Sequence, residues 1–196
     1  MPRKQPRIAG TATVAQPFYI TQTEVTNAQY EVFDPDHYRH SSSPAGANPA
    51  SFVKWAQAVA FCEWLTEQDA GSGMRYRLPT EIEWEWAARS GDAADIDVPT
   101  RSEANFWGTG GDDIWDETQT APAGSLLANG FGLFDTLGNV SEWVTTPEDE
   151  GRSYRIHKGR SFHSGVELGM TPGDRQSYQL GDYGKKVGFR VVAVPP

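Results

Sequence analysis

The amino-acid sequence predicts a single α+β domain in which two main helices and small antiparallel sheets are joined by much irregular loop. Three observations carry this prediction. The chain has 196 residues, which is the length of one domain. Its 20 glycines, 13 prolines and mean hydropathy of −0.56 are typical of a loop-rich globular protein rather than a helical bundle. Helical and strand-like patterns both occur, and the strand-like ones are short.

Three helices are predicted. The first covers 26–33, where a threonine at the start can serve as N-cap. The second covers 55–69, because apolar side chains recur there at helical spacing. The third begins at the capping-box pair Thr80 and Glu83 and stops before Gly91. The last two are the main helices of the predicted domain.

Short strands are predicted at 17–20, at 153–158 and at 188–194, the last as one continuous strand. The segment 91–129 is predicted to be an ordered loop, and a loop of that length is unusual unless metal ions or function hold it. Residues 1–16 are predicted to be an N-terminal extension of a domain that covers 17–196, since no repeat or linker divides the rest.

Composition and charge exclude several classes of function. A net charge of −9 argues against nucleic-acid binding, which needs clustered lysine and arginine. No apolar run approaches the roughly 20 residues of a membrane span, so no membrane insertion is expected. The basic first residues lack the apolar segment of a signal peptide, so we expect a cytoplasmic protein or one on a virion or particle. The single cysteine, Cys62, allows no intramolecular disulfide and is predicted to be buried in the second helix.

The most informative stretch is 129–143, which reads Asn-Gly-Phe-Gly-Leu-Phe-Asp-Thr-Leu-Gly-Asn-Val-Ser-Glu-Trp. Asp135, Glu142 and the carbonyl groups between them can surround a hard cation, because calcium takes roughly six to eight oxygen ligands. The alternative is a tight turn in which glycines supply positive φ angles and the aromatic residues belong to the core. Spacing alone leaves both interpretations open.

This stretch resembles the Gly-Leu-Tyr-Asp-Met-x-Gly-Asn-Val-x-Glu-Trp signature of the formylglycine-generating-enzyme (sulfatase-modifying-factor) family. Other family-like pieces occur in the family's order and extend the resemblance over about 18–194. They are Thr-Glu-Val-Thr-Asn-Ala-Gln-Tyr at 23–30, Ala-Phe-Cys-Glu-Trp-Leu at 60–65, Tyr-Arg-Leu-Pro-Thr-Glu-Ile-Glu-Trp-Glu-Trp-Ala-Ala-Arg at 76–89, Asn-Phe-Trp-Gly at 105–108 and Gly-Phe-Arg-Val-Val at 188–192. The chain is identified as a member of this family, which implies a C-type-lectin-like fold.

The resemblance implies that the catalytic cysteines of the family are missing. In catalytic members, two cysteines follow a Lys-Gly-Gly-Ser stretch, bind copper and oxidise a substrate cysteine to formylglycine. Aligning that stretch from Lys158 places Ser164 and Gly169 at the cysteine positions, and Arg160 replaces the second glycine. Neither replacement can act as a thiolate ligand of Cu(I). We therefore expect no copper and no formylglycine-generating activity.

The resemblance also implies two structural calcium sites. The first would use the side chains of Asp135 and Glu142 with the carbonyl oxygens of Gly138 and Val140. The second would use Asn105, the Phe106 carbonyl and candidates from a downstream acidic loop, which are Asp112, Asp113 and Asp116. Calcium at either site would fasten loops that contain little helix or sheet.

A ligand-binding face is predicted over 160–186, where the enzymes of the family place their cysteines. Tyrosine supplies contact area at low cost in conformational entropy, and serine and glutamine supply adaptable hydrogen bonds. The alternative is an ordinary solvated loop. The predicted ligand-binding residues are Arg160, Phe162, His163, Ser164, Glu167, Met170, Asp174, Gln176, Tyr178, Gln179, Asp182, Tyr183 and Lys185.

The function that these observations favour is a non-catalytic module that binds a protein or glycan ligand or receptor. The intact Gly-Phe-Arg segment at 188–190 resembles the variable proteins of diversity-generating retroelements in bacteria and phages, and a phage or surface receptor binder fits as well. Two alternatives stay open. One is a divergent oxidase-like enzyme that uses His157 or His163 with Glu167, and the other is a structural subunit of a larger assembly.

Overall fold

In the part of the chain that the computed structural model describes, three helices and two small sheets form the regular structure. The structure describes residues 14, 16–91, 99–100, 102–107, 115, 118–147, 154–165, 170–179, 181 and 184–196. In chain order the elements are β1 (Tyr19–Ile20), α1 (Asn27–Phe33), α2 (Trp55–Gln68), a 3-10 turn (Ala70–Ser72), β2 (Arg75–Arg77), α3 (Glu81–Ala88), β3 (Ser141–Pro147), β4 (Tyr154–Lys158), β5 (Gln176–Gln179), β6 (Val187–Gly188) and β7 (Val192–Val194).

The three helices lie where the sequence predicts them. Thr26 caps α1 and Thr80 caps α3, and each hydroxyl accepts a hydrogen bond from the backbone N–H three residues later. Both caps are reciprocal capping boxes, which satisfy otherwise unpaired N–H groups of the first turn. Cys62 on α2 is buried, as predicted, and burial raises the pKa of its thiol to about 12. That thiol is therefore an unreactive part of the core.

The first sheet has the order β1-β7-β2 and is antiparallel throughout, so it brings the segment around residue 19 beside residue 193. The second sheet has the order β5-β4-β3-β6. In it β6 runs parallel to β3, with Ser141 opposite Val187 and Glu142 opposite Gly188. The prediction of antiparallel sheets is wrong for this one pair of strands.

The predicted strand at 188–194 is divided between the two sheets. Residues Val187–Gly188 pair with β3, and Val192–Val194 pair with β1 and β2. Between them, the carbonyl groups of Phe189 and Val191 accept hydrogen bonds from the backbone of Val25 and Thr21. The segment 189–191 therefore joins the two sheets, and this junction interrupts the strand.

Two strands occur where the sequence predicts connections. Strand β2 lies in the segment that joins α2 to α3, and it forms because Tyr76 and Arg77 pair with β7. Strand β5 lies inside the predicted binding face and pairs with β4 over four residues. Among the described residues, no helix combines the length and apolar character needed to cross a membrane.

The largest core cluster packs aromatic side chains of α1 and α2 against the segment that joins the sheets. The ring of Phe61 stacks on Tyr30 with 5.6 Å between centroids and meets Phe189 edge-on at 5.4 Å. Trp143 on β3 closes this core, and its indole N–H donates to the Val53 carbonyl at 2.9 Å. Such pairs add about 0.5–1.5 kcal/mol each beyond the area that they bury.

A fully buried ion pair lies at the junction of the two sheets. The Arg190 guanidinium donates through Nε and Nη2 to the two carboxylate oxygens of Glu142, both at 2.6 Å. Its remaining N–H groups donate to the carbonyl oxygens of Phe134 at 2.9 Å, Thr21 at 3.2 Å and Gln22 at 3.3 Å. All five donors of the guanidinium are therefore satisfied.

We expect Arg190→Met to destabilise the protein by about 3–5 kcal/mol, because it leaves the Glu142 carboxylate buried without its cation. Urea unfolding followed by tryptophan fluorescence measures the loss. The control is Arg39→Met, which breaks the more exposed pair with Glu31 and should change the unfolding midpoint far less. Equal effects of the two substitutions would contradict the role given to Arg190.

Candidate functional site

The position that the resemblance assigns to the first cysteine is held by Ser164, in a closed turn. Its hydroxyl accepts a hydrogen bond from the backbone N–H of Ser161 at 3.2 Å, and its own N–H donates to the Ser161 carbonyl at 2.8 Å. The Ser164 carbonyl accepts from the backbone of Trp107 at 3.0 Å. The Ser164 side chain thus serves the turn itself. Gly169, at the second cysteine position, lies outside the described residues.

A cavity of about 490 Å³ opens beside this turn. We call it the basic cavity, because four of its lining side chains carry basic nitrogen atoms and no described lining residue is acidic. Its walls come from four separate parts of the chain. The lining residues are His40, Ser41, Ser42, Thr118, Gln119, Phe162, His163, Lys185 and Lys186.

The wall at 40–42 is held rigidly. The His40 Nδ1 atom lies 2.8 Å from the Ser42 hydroxyl and accepts from the Ser42 backbone N–H at 3.2 Å. Because Nδ1 accepts, this hydrogen-bond geometry assigns the ring proton of the neutral imidazole to Nε2. The imidazole stacks on Phe52 with 5.9 Å between centroids, and the Ser42 carbonyl accepts from the Thr120 N–H at 2.8 Å. The last bond joins this wall to the one at 118–119.

The lysine wall is a turn that leads into β6. The Val187 N–H donates to the Gly184 carbonyl, and the Lys186 carbonyl accepts from the Ser141 N–H at the start of β3. The Lys186 ammonium lies 5.7 Å from the centre of the Phe162 ring. Partial burial and the neighbouring charge of Lys185 lower the pKa of Lys186. The two lysines thus sit close together on a backbone fixed to the second sheet.

The predicted binding residues are only partly brought together. Phe162, His163 and Lys185 line the basic cavity, and Ser164 lies in the turn beside it. Arg160 lies 3.5 Å from the Asp174 carboxylate. The predicted residues Glu167, Asp182 and Tyr183 lie outside the described residues.

The residues on β5 form an edge rather than a wall of the cavity. Tyr178 is 37% exposed, and its ring stacks on His157 with 4.9 Å between centroids. Gln179 is exposed beside it, and the Gln176 side chain faces the Ser141 hydroxyl at 3.5 Å. The structure thus describes two parts of the predicted binding face, which are the basic cavity and this edge of the second sheet.

Met170 does not belong to any exposed face. Its side chain is fully buried in a small cluster with Ala104, Phe106 and Leu137. The sequence predicts Met170 as a contact residue because its neighbours are polar and loop-forming, but its side chain fills the core under the loop instead. The prediction of Met170 as a ligand contact is therefore wrong.

Some residues at or beside the cavity are not predicted from the sequence to belong to a site. The segments 40–42 and 118–119 each supply a cavity wall, although the sequence predicts only an ordered loop around the second and no site at either. Trp107 is also notable, since it is 49% exposed and its backbone bonds directly to the Ser164 turn. The sequence indicates Trp107 only through its place in the family-like Asn-Phe-Trp-Gly piece at 105–108.

The histidine chemistry of the alternative enzyme finds little support in the geometry. His157 is buried between Trp143 and Tyr178, and burial lowers its pKa to about 3, so the ring stays neutral at physiological pH. His163 is exposed at the cavity, and its proposed partner Glu167 lies outside the described residues. Within the described ranges, no three His, Cys, Asp or Glu side chains are grouped so as to hold a metal ion.

Comparison with known proteins assigns the family. The family described as "Sulfatase-modifying factor enzyme 1-like domain" matches residues 3–194, nearly the whole chain. The chain belongs to this family. It is 38% identical over 109 residues to the formylglycine-generating enzyme of Mycobacterium tuberculosis, a match that covers 50% of this chain and 33% of that enzyme. The matched segment thus spans about a third of the length of that relative.

Solved structures confirm the predicted fold. PvdO from Pseudomonas aeruginosa superimposes with a TM-score of 0.77 at 23% identity, over 92% of this chain and 82% of that one. Treponema denticola variable protein 1 superimposes with a TM-score of 0.75 at 24% identity, over 91% of this chain and 84% of that one. The family scaffold and its C-type-lectin-like arrangement are therefore shared with both.

The first predicted calcium site of the family does not fit these side chains. Both oxygens of Glu142 accept from Arg190, and one of them also accepts from the Trp84 indole at 2.6 Å. A guanidinium already occupies the place where a cation would neutralise this carboxylate. Gly138, with φ of +80°, instead makes the tight turn, and a Cβ atom there would lie 2.3 Å from the Asn105 carbonyl oxygen.

Asp135 nevertheless keeps one unsatisfied oxygen. Its Oδ2 accepts from the Gly124 N–H at 2.7 Å, while Oδ1 is buried without a hydrogen-bond donor. Glu24 lies beside it, and burial together with the charges of Asp135 and Glu142 raises the pKa of Glu24 well above its usual value. A Glu24 carboxyl that keeps its proton can donate to Asp135, and Glu24 Oε2 is itself buried without a hydrogen-bond partner.

The second predicted calcium site retains one suitable ligand. The Asn105 Nδ2 atom donates to the Gln119 carbonyl at 3.0 Å, and its Oδ1 atom is buried without a partner. That oxygen fits a cation ligand. The three aspartates predicted to complete the site lie outside the described residues, and Phe106 packs its ring into the cluster with Met170.

We expect Asp135→Asn to leave the calcium dependence of stability unchanged. The measurement is the difference in Tm between excess calcium and excess chelator, since an ion that binds only the folded state raises Tm by mass action. Asn105→Ala is the companion variant, because it removes the oxygen that fits a cation. A calcium effect present in the natural protein and lost in Asp135→Asn would overturn our assignment of the Asp135–Glu142 turn.

Proposed function

We propose that this protein is a non-catalytic binding module, in which the family scaffold presents the basic cavity and the adjacent edge of β5 to a ligand. One observation carries the proposal. Ser164 stands where the family's first catalytic cysteine is expected, and its hydroxyl is engaged in the turn at 161–164 beside an open cavity. The site therefore keeps room for a ligand and lacks the thiol that would act on it.

The chemistry of the remaining side chains supports the absence of copper oxidase activity. Soft Cu(I) requires thiolate or thioether ligands. The only cysteine of the chain is buried Cys62, with a pKa raised to about 12, and it lies on α2 in the main core. Met170 is buried as well. A copper site of the family's kind would need both absent cysteines.

The form of the site supports a binding role. Its two parts differ in character: the cavity offers basic and hydroxyl groups, whereas the β5 edge offers a tyrosine and amide side chains. Tyrosine gives contact area without a large cost in ordering, and lysine gives charge. The partner we propose is a protein or glycan, bound at this face without nucleic acid or membrane.

The copper part of the proposal has a direct test. We expect no stoichiometric Cu(I) binding by the natural protein in competition with a chromogenic Cu(I) chelator. The double variant Ser164→Cys/Gly169→Cys should gain about one Cu(I) per chain, because it restores two thiolates at the family's positions. Ser164→Cys alone is the control and should bind far more weakly. Tight copper binding by the natural protein would contradict a non-catalytic role.

The binding part is tested by screening the purified protein against a glycan array and a random-peptide library. We expect His163→Ala and Tyr178→Ala to weaken the binding of any selected ligand at least tenfold, as central contact residues of an interface do. Tyr19→Ala is the matched control, since Tyr19 is an exposed tyrosine on an edge strand of the other sheet. No ligand in either library, or ligands equally weakened by Tyr19→Ala, would count against the proposed face.

A further inference from the structure

The basic cavity is a local reversal of the charge of the whole protein. The chain carries 26 acidic and 17 basic residues, yet the described lining of the cavity contains two lysines, Lys185 and Lys186, and no acidic residue. Like-signed groups that line a concave site concentrate their field and attract the opposite charge. The cavity thus favours an anionic ligand.

The two lysines are placed to bind one anionic group. They are adjacent on the turn that leads into β6, and that turn is bonded to β3 through the Lys186 carbonyl. Lys186 is partly buried against the Phe162 ring, and the proximity of Lys185 disfavours its charged form. A bound anion would relieve this repulsion, because an opposite charge nearby stabilises both ammonium groups.

The rest of the lining suits a hydroxyl-rich ligand. Ser41, Thr118 and Gln119 are exposed on the opposite walls and offer hydroxyl and amide groups, which can both donate and accept. Phe162, the one phenyl ring of the lining, is almost fully buried beneath these groups.

We propose that the basic cavity binds an acidic sugar, with its carboxylate or sulfate group at Lys185 and Lys186 and its hydroxyl groups on Ser41, Thr118 and Gln119. This inference rests on the proposed binding function and names its ligand class. His40 completes the site, because its ring is fixed by Ser42 and has Nε2–H as the remaining donor of the neutral form.

The probes are N-acetylneuraminic acid, glucuronic acid and a sulfated disaccharide, with glucose and N-acetylglucosamine as neutral counterparts. Saturation-transfer NMR and calorimetry measure binding to the full chain. We expect at least one acidic sugar to bind tenfold or more tightly than the neutral sugars. Its affinity should fall with added salt, because exposed charges are screened.

Lys185→Gln should weaken that binding at least tenfold while leaving Tm unchanged, since Lys185 is exposed. Arg75→Gln is the control, because it removes one exposed positive charge from β2 in the other sheet and should leave affinity unchanged. Lys186→Gln is a second variant of the same wall, and its Tm is measured alongside because Lys186 packs on Phe162.

Three results would overturn the inference: equal binding of neutral and acidic sugars, binding that survives Lys185→Gln, or preference for an acidic pentapeptide of glutamate over every acidic sugar. These three results differ from the result that would reject the proposed binding function. A ligand that depends on His163 and Tyr178 but not on Lys185 would reject the acidic sugar and leave the binding module standing. A protein that binds no ligand of any class at this face would reject both.

Discussion

The buried pair of Arg190 and Glu142 is the interaction on which the arrangement of this domain depends. Desolvating two charges is costly, and the pair is favourable only because every guanidinium N–H group and both carboxylate oxygens have partners. Those partners come from the segment after β1, from the turn before β3 and, through the Trp84 indole, from α3. The pair thus joins the two segments that carry Arg190 and Glu142 to three further parts of the chain at the junction of the two sheets.

Asparagine side chains hold the irregular segments in place, because each of them, like the ion pair, hydrogen-bonds to at least one distant part of the chain. Asn139 donates to Glu24 and accepts from the backbone N–H of Ala121 and the amide of Asn105. Asn48 donates to the Thr120 carbonyl and hydroxyl, and Asn129 donates to two carbonyl groups at the end of α3. The long loop was expected to need a metal ion or a function to hold it. In its described part, buried asparagines supply the missing backbone partners.

The parts of the fold that the sequence predicts are those set by neighbours in the chain. The Thr80 capping box is three residues wide, so α3 could be located without tertiary information. Strand β2 is three residues long and exists because β7 lies beside it, which no local pattern contains. The same limit applies to the site. His163 lay inside the predicted face, whereas His40 reaches the same cavity from more than a hundred residues away and could be placed there only by the fold.

The position of the ion pair also bears on how the proposed site could change. Lys185 and Lys186 come directly before β6, and β6 runs into the Gly-Phe-Arg segment that Arg190 anchors. The backbone of the lysine turn is therefore held from both sides, by the Ser141 N–H and by the buried pair, while the Lys185 side chain is exposed. The anchoring contacts use backbone groups and buried side chains. Replacing an exposed side chain such as Lys185 would therefore change what the proposed site binds without changing the backbone that carries it. A scaffold of this kind can keep its fold while the exposed side chains around Ser164 change, so the fold alone does not determine what the site does.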